Sequence, residues 1–261
     1  MQEIKTVLIT GASGGIGYEL AKLFAKDGHK LILVARTAGK LTQFSDELQR
    51  QFNISAKPIV LDLATPVAAQ TLFDQLQREG IAVDILVNNA GYAKYGEFVN
   101  IPLEESQGQI QLNISTLTAL TKLFVPPMVQ RRSGKVMNVA STAAFQPGPL
   151  MAVYYATKAY VVSFSEALAN ELKGSGVTVT CFCPGATDTG FQHRAENNES
   201  RLFKKMYPMN VKTVARDGYR GLKKNKTLVI SGLKNRILMQ TVRVTPRKLV
   251  TAISRWVSEQ A

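Results

Sequence analysis

Thr10-Gly11-Ala12-Ser13-Gly14-Gly15-Ile16-Gly17 joins the apolar, β-branched run Lys5–Thr10 to a stretch of helical periodicity that begins near Gly15. Glycines at a strand-to-helix junction allow a tight turn, let an anion approach the backbone, and let the helix pack closely. The first N–H groups of a helix have no internal acceptor and are free to hold a phosphate. Gly11, Ser13, Gly14, Gly15, Ile16 and Gly17 are therefore candidate cofactor contacts, a cradle for the pyrophosphate of a dinucleotide. The spacing is G-x-x-x-G-x-G, not the commoner G-x-G-x-x-G. An ordinary strand-to-helix turn is the plainer alternative, and the context downstream weighs against it.

Lys30–Ala35, Ala56–Leu61, Asp84–Asn88, Gly134–Ala140, Gly176–Phe182 and Thr227–Ile230 repeat the apolar strand pattern, with helical segments between them. Near-continuous Val, Ile and Leu fits strands covered on both faces. Strand–helix alternation implies right-handed crossovers and a doubly wound parallel α/β sheet. One long helix is expected over Leu103–Val125, stopping at Pro126-Pro127, because proline ends the hydrogen-bond ladder. A second is expected over Ala152–Lys173, capped by Gly174. A polar stretch, Thr187–Pro208, follows. With no repeat or linker, the 261 residues are expected to form a single Rossmann-like domain with a basic C-terminal extension from about residue 194.

The second strand ends Val34-Ala35-Arg36. In an NAD site an acid about 20 residues past the glycines takes the ribose hydroxyls. Here Ala35 stands at that place and Arg36 follows. A guanidinium binds a 2′-phosphate with paired, charge-assisted hydrogen bonds that a carboxylate would refuse. NADP(H) is the expected cofactor; a solvated loop arginine is the alternative.

Tyr154 and Lys158 lie four residues apart on the second long helix and share a face. A phenol with a pKa of about 10 exchanges protons poorly at neutral pH, and an adjacent ammonium is expected to bring it down. Ser141, at the end of the preceding strand, could polarise a carbonyl oxygen in the crevice beyond the strands' carboxyl ends. Tyr155 is also within reach of Lys158, so spacing alone leaves both tyrosines open. Cys181 and Cys183 occupy alternate positions of one strand, and His29 and His193 are distant in sequence. That pattern suggests neither a disulfide framework nor a zinc site, so no metal is expected. Ser141 has no partner histidine suited to a hydrolase triad.

Together these segments resemble the short-chain dehydrogenase/reductase family over roughly residues 5 to 190. The family's Tyr-x-x-x-Lys motif matches Tyr154-Tyr155-Ala156-Thr157-Lys158, with Thr157 where serine is commoner. Its serine stands about thirteen residues earlier, as Ser141 does. Its Asn-Asn-Ala-Gly motif matches Asn88-Asn89-Ala90-Gly91, and its helix asparagine matches Asn113. Pro184-Gly185 follows the sixth strand, with Thr187 beyond it and Thr189 at the position that contacts the nicotinamide end. Asp62 matches the family's adenine-contacting acid. The resemblance implies strand order 3-2-1-4-5-6-7 and hydride transfer between NADP(H) and a small-molecule carbonyl or alcohol. Tyr154 would be the proton donor, Lys158 would also bind the nicotinamide ribose, and Asn113 would support a water-linked proton path. It further implies a homodimer or homotetramer paired through the long helices. Leu117, Leu120, Val161, Val162 and Phe164 could form that seam or equally the helices' core faces. A nucleotide sensor or interaction protein on the same fold is the competing reading.

The formal net charge is +13, and from Arg194 onward 16 Lys and Arg stand against four acids. This concentration argues against a general nucleic-acid binder and for a distinctive C-terminal face. Pro246 is expected to divide Leu233–Trp256 into two helices. In the second, Leu249, Val250, Ile253 and Trp256-Val257 give one apolar face. That face would dock on the domain, or the basic end would meet an anionic membrane and a lipophilic substrate. No apolar run approaches the roughly 18 residues that cross a bilayer, and Met1–Thr10 lacks a basic-then-apolar leader, so a cytoplasmic location is expected.

If Arg36 holds a 2′-phosphate, Arg36→Ala should weaken NADPH binding about 10- to 150-fold and NADH binding much less. Titration of the variant with both cofactors tests this; equal losses would make Arg36 a solvated loop residue.

Overall fold

Strand residues in the computed structural model, which describes residues 3–191, Ala195 and residues 208–259, alternate strictly between two apolar layers. Val7 and Ile9 of β1 (Thr6–Thr10) face one layer and Leu8 the other. In β2 (Lys30–Ala35) Leu31, Leu33 and Ala35 take the first layer and Ile32 and Val34 the second. Both faces are buried, which accounts for the unbroken apolar runs. The remaining strands are β3 (Ala56–Val60), β4 (Ile85–Asn88), β5 (Gly134–Val139), β6 (Val177–Cys183) and β7 (Leu228–Ile230). Their order is β3-β2-β1-β4-β5-β6-β7, and all neighbours pair in parallel. The order expected from the sequence is thus the order observed, and strand bounds shift by only about a residue.

Helices α1 (Gly15–Lys26), α2 (Ala38–Phe52) and α7 (Val211–Lys223) cover the first layer; α3 (Ala68–Arg78), α5 (Leu117–Gln130) and part of α6 (Ala152–Glu171) cover the second. The chain reverses direction across the sheet between β1 and β4, and the carboxyl ends of both strands open on the same edge. A crevice at such a switch point is where doubly wound sheets bind ligands.

Two expectations about the long helices need correction. The first is interrupted: α4 (Leu103–Ile110) passes into a π-helical turn, Gln111–Thr116, before α5 begins. Nor does it stop at the prolines, since Pro126 and Pro127 lie inside α5. An interior proline costs about 3 kcal/mol. Phe124, Val125 and Met128 are buried on either side of the pair, and each such side chain contributes roughly 1.5–3 kcal/mol, enough to outweigh it. Arg131 secures the end by donating from Nη2 to the Val83 carbonyl (2.9 Å). The second helix, α6, ends at Glu171, and Gly174 follows in the left-handed region (φ 80°).

Leu117, Leu120 and Val161 are core residues, and Val162 and Phe164 pack partly against the core, so these positions follow the core alternative. Pro246 does separate two helices, α8 (Leu233–Val244) and α9 (Arg247–Ser258). The apolar face expected of α9 docks only in part. Val250, Ser254 and Ser258 are buried, whereas Leu249, Ile253 and Trp256 stand more than half exposed. Most of the polar stretch after Thr187, including His193, lies outside the described residues.

Candidate active site

The glycine turn is held in place from the neighbouring strand. Asn89, just past β4, donates from Nδ2 to the carbonyls of Thr10 (2.9 Å) and Gly11 (3.2 Å). In return, Thr10 Oγ1 accepts the backbone N–H groups of Asn89 (3.0 Å) and Ala90 (2.9 Å). Gly11 adopts φ 67°, and a Cβ on Gly17 would lie 2.5 Å from both Asn89 Nδ2 and the Gly11 carbonyl oxygen. Gly17 is therefore buried packing between helix and turn, not a wall of the site as expected from the motif. The α1 N-terminus, with Gly14 as its cap, faces the crevice.

A cavity of about 770 Å³ starts there and runs the length of the carboxyl edge. Gly11, Ser13, Gly14, Gly15 and Ile16 form its floor at one end, with Arg36 and Asp62 along the side. Asn89, Ala90 and Gly91 line its middle. Ser141, Tyr154 and Lys158 face it from β5 and α6, and Pro184, Gly185, Thr187 and Thr189 close the far wall. Thr189 reaches back across the crevice, so that a Cβ on Gly15 would meet its side chain at 3.4 Å. The open glycine backbone, the helix N-terminus and the flanking Arg36 fit a dinucleotide bearing a 2′-phosphate.

Asn113 is buried in the π-helical turn and does not line the cavity. Its Nδ2 donates to the Tyr92 carbonyl (2.9 Å) and to Thr157 Oγ1 (3.1 Å), while its Oδ1 accepts from Tyr92 N (3.2 Å). It thus ties the segment after Gly91 to α6, the helix that carries Tyr154 and Lys158. Thr157 takes part in this tie and in a bond to the Tyr154 carbonyl (2.7 Å).

The two tyrosines separate clearly. Tyr154 hydrogen-bonds Ser141, whereas the Tyr155 phenol meets Ser258 and Ser254 of α9. Lys158 Nζ donates to the Val139 carbonyl (2.8 Å) and lies 5.8 Å from the Tyr154 ring centre. Burial pushes Tyr154 above the usual phenol value, and only the Ser141 hydrogen bond pulls it down. Burial also lowers Lys158 to about 8, with Cys181 and Cys183 opposing. The expected lowering of the phenol by Lys158 is therefore absent here: desolvation dominates both groups.

Several wall residues carried no motif. Lys40, in the first turn of α2, lines the cavity with Arg36 and adds a second cation; its place four residues after Arg36 was the available signal. Gln146, Met151, Met239, Val242 and Val250 shape the outer end. They come from segments far apart in sequence, and no spacing links them. Cys181 and Cys183 are buried free thiols 3.8 Å apart. Among the described residues no group of three or more His, Cys, Asp or Glu could hold a metal ion.

The sequence profile of the short chain dehydrogenases matches residues 5–200. A very-long-chain 3-oxoacyl-CoA reductase of Anas platyrhynchos is 35% identical over 185 residues, 68% of this chain and 58% of the relative. The chain spans about three-fifths of the length of the curated relatives it matches. A short-chain dehydrogenase from Sphingobium yanoikuyae in complex with NADPH superposes with a TM-score of 0.84 at 33% identity, covering 92% of this chain and 94% of the other. A bulky-bulky ketone specific alcohol dehydrogenase from Comamonas testosteroni superposes with a TM-score of 0.80 at 26% identity, covering 93% of each.

Replacing Gly17 with Ala should push Asn89 off the turn and deform the cradle. We expect dinucleotide affinity to fall at least about tenfold, an energy of roughly 1.4 kcal/mol or more, while the far-UV circular dichroism is unchanged. Unaltered affinity would show that the turn does not depend on this contact.

Proposed function

The chain belongs to the short-chain dehydrogenase family, and from that premise we propose that it transfers a hydride between NADP(H) and the carbonyl or alcohol carbon of a bulky, lipophilic small molecule. The observation that carries this reading is the group of Ser141 with the buried Tyr154 and Lys158, on the wall of a cavity that begins at a phosphate cradle. Gly11, Ser13, Gly14, Gly15 and Ile16 would hold the pyrophosphate, Arg36 with Lys40 the 2′-phosphate, and Asp62 the adenine end. Asn89, Ala90, Gly91, Pro184, Gly185, Thr187 and Thr189 would border the rest of the dinucleotide. When bound, the nicotinamide supplies the hydride chemistry.

The chain's own residues handle the proton and the charge. Tyr154, kept protonated by its burial, donates from its phenol to the carbonyl oxygen as charge develops there. The Ser141 hydroxyl, already on the Tyr154 phenol, orients that oxygen and shares its charge. Lys158 spends one donor on Val139, leaving two for the ribose hydroxyls and for the phenolate that remains. Asn113 is a positioning residue, holding α6 to the segment after Gly91.

Met239, Val242 and Val250 at the outer end of the cavity support a lipophilic substrate. So do the long-chain acyl substrate named for one relative and the bulky ketones named for one structural neighbour. The reading treats the chain as one dinucleotide-binding domain with a basic extension from about residue 194. It places the protein in the cytoplasm, where thiols such as Cys181 and Cys183 stay reduced. Contact with an anionic membrane at the periphery falls to the basic extension. A homodimer or homotetramer is part of the same reading, supported by the exposed Tyr160 stacked on the half-buried Phe164 of α6. A clean monomer by light scattering at micromolar concentration would remove that part.

Tyr154→Phe should lower NADPH-dependent ketone reduction by about 10²- to 10⁴-fold, the usual worth of a general acid, with NADPH affinity kept. Tyr155→Phe should stay active. The two variants, assayed side by side on a carbonyl panel by NADPH absorbance, decide the assignment; an active Tyr154→Phe would move the role elsewhere.

A further inference from the structure

The inner faces of α8 and α9 are narrow. Met239 on α8 and Val250 on α9 are buried, at 2% and 8% exposure. On the opposite side, Leu233, Ile237 and Val244 of α8 stand 70%, 58% and 84% exposed. Leu249, Ile253 and Trp256 of α9 are exposed by 52%, 52% and 57%. At 3.6 residues per turn each trio forms one stripe. Single exposed leucines are ordinary, but two stripes on consecutive helices are not.

The charges around the stripes have one sign. Lys234, Arg236 and Arg243 flank the first; Arg247, Lys248 and Arg255 accompany the second; no acid occurs between Leu233 and Ser258. The α9 stripe reaches the cavity at Ile253, and Leu238 of α8, beside the first stripe, also lines its wall; both are about half exposed to solvent. An apolar, cation-rimmed surface thus adjoins the cavity through which a substrate would enter.

Two occupants could cover such a surface. A second copy meeting it about a two-fold axis would set like cations against one another. An anionic bilayer offers what both parts need: an apolar boundary for the stripes and phosphate headgroups for the rim. No helix among the described residues is long and apolar enough to cross a membrane, so the contact would be peripheral.

We propose that α8 and α9 dock the protein on anionic lipid bilayers, with the mouth of the cavity opening onto the lipid so that a lipophilic carbonyl compound enters from the membrane. The entry route rests on the function proposed above; the docking does not.

Trp256 is the chain's single tryptophan and a reporter on the surface itself. The full chain should co-sediment with phosphatidylglycerol/phosphatidylcholine vesicles at low salt and be released at high salt. Its tryptophan emission should shift to the blue on binding and be quenched by brominated lipid. Ile237→Glu with Leu249→Glu should lose at least about tenfold in partitioning. This variant should retain turnover of a water-soluble ketone, which shows that it is folded, and lose turnover of a long-chain ketone presented in vesicles. Should that pair fail to fold, Lys234→Gln with Lys248→Gln serves instead; at about fivefold per cation it should weaken partitioning roughly 25-fold.

Absence of binding to anionic vesicles at low salt would overturn the proposal. So would binding with no change in Trp256 emission, or binding equal in parent and variants. If light scattering shows that Ile237→Glu with Leu249→Glu splits an oligomer while the parent ignores vesicles, the surface is a subunit seam. Failure to reduce any ketone in solution would count against the hydride reading alone, since vesicle binding is measured without turnover.

Discussion

The exchange of hydrogen bonds between Thr10 and Asn89 is the constraint on which the rest of the site depends. It joins the carboxyl ends of β1 and β4, the two strands between which the sheet changes direction. An asparagine can serve both turns because its amide donates to carbonyls while its own backbone N–H is taken by a hydroxyl. With the Thr10 and Gly11 carbonyls tied down, the free N–H groups at the start of α1 remain directed at the crevice. Beneath this lock a further polar chain runs through the core: Asn88 Nδ2 donates to Thr121 Oγ1 (3.0 Å) and Asn138 Oδ1 (2.9 Å), and Asn138 donates to Ser165 Oγ (3.0 Å). Such a buried chain fixes the alignment of β4 and β5 with α5 and α6, since a slip would strand several polar groups without partners.

The reacting groups are arranged against their own solvation. An ammonium and a phenol buried together both favour neutrality, and burial alone moves them in opposite directions. Both groups face the cavity, where the proposed reaction would develop charge. Ser141 is held through Ala143 N (3.1 Å) and Lys158 through Val139, so neither would have to reorganise in the proposed reaction. The π-helical turn at Asn113 belongs to the same economy. It spoils the regularity of a long helix and in exchange brings an amide against α6 and the Tyr92 backbone, a common use of such turns at functional sites.

The C-terminal helices complete the cavity from outside the sheet. Tyr155, next to Tyr154 in sequence, turns away from Ser141 and meets Ser254 and Ser258 of α9. Its ring packs on Gly148, where a Cβ would lie 2.1 Å from the ring. Adjacent residues of one helix thus do different work: Tyr154 faces Ser141 and the cavity, and Tyr155 anchors the α9 wall. The basic extension is coupled to the active site through this packing and not only through charge.

The strand order came from the family resemblance; the sequence by itself determined the seven strands, the glycine turn and the positions of Ser141, Tyr154 and Lys158 at a strand end and on one helix face. Each depends on local patterns: period-two burial, glycine at a turn, side chains four apart on a helix, and a serine at a strand end. Tertiary structure decided what local pattern leaves open. Burial of Phe124, Val125 and Met128 carried α5 through two prolines that alone would have ended it. Asn89, not spacing, set Gly17 as packing instead of a contact. Spacing to Lys158 leaves both Tyr154 and Tyr155 within reach; the motif match points to Tyr154, and the three-dimensional partners, Ser141 for one and α9 for the other, separate them in space. On α9 a helical wheel finds the apolar stripe but not its environment: the domain receives Val250, Ser254 and Ser258, leaving Leu249, Ile253 and Trp256 outside. Amphipathicity is a property of one helix, whereas the face that is buried depends on the surface it meets.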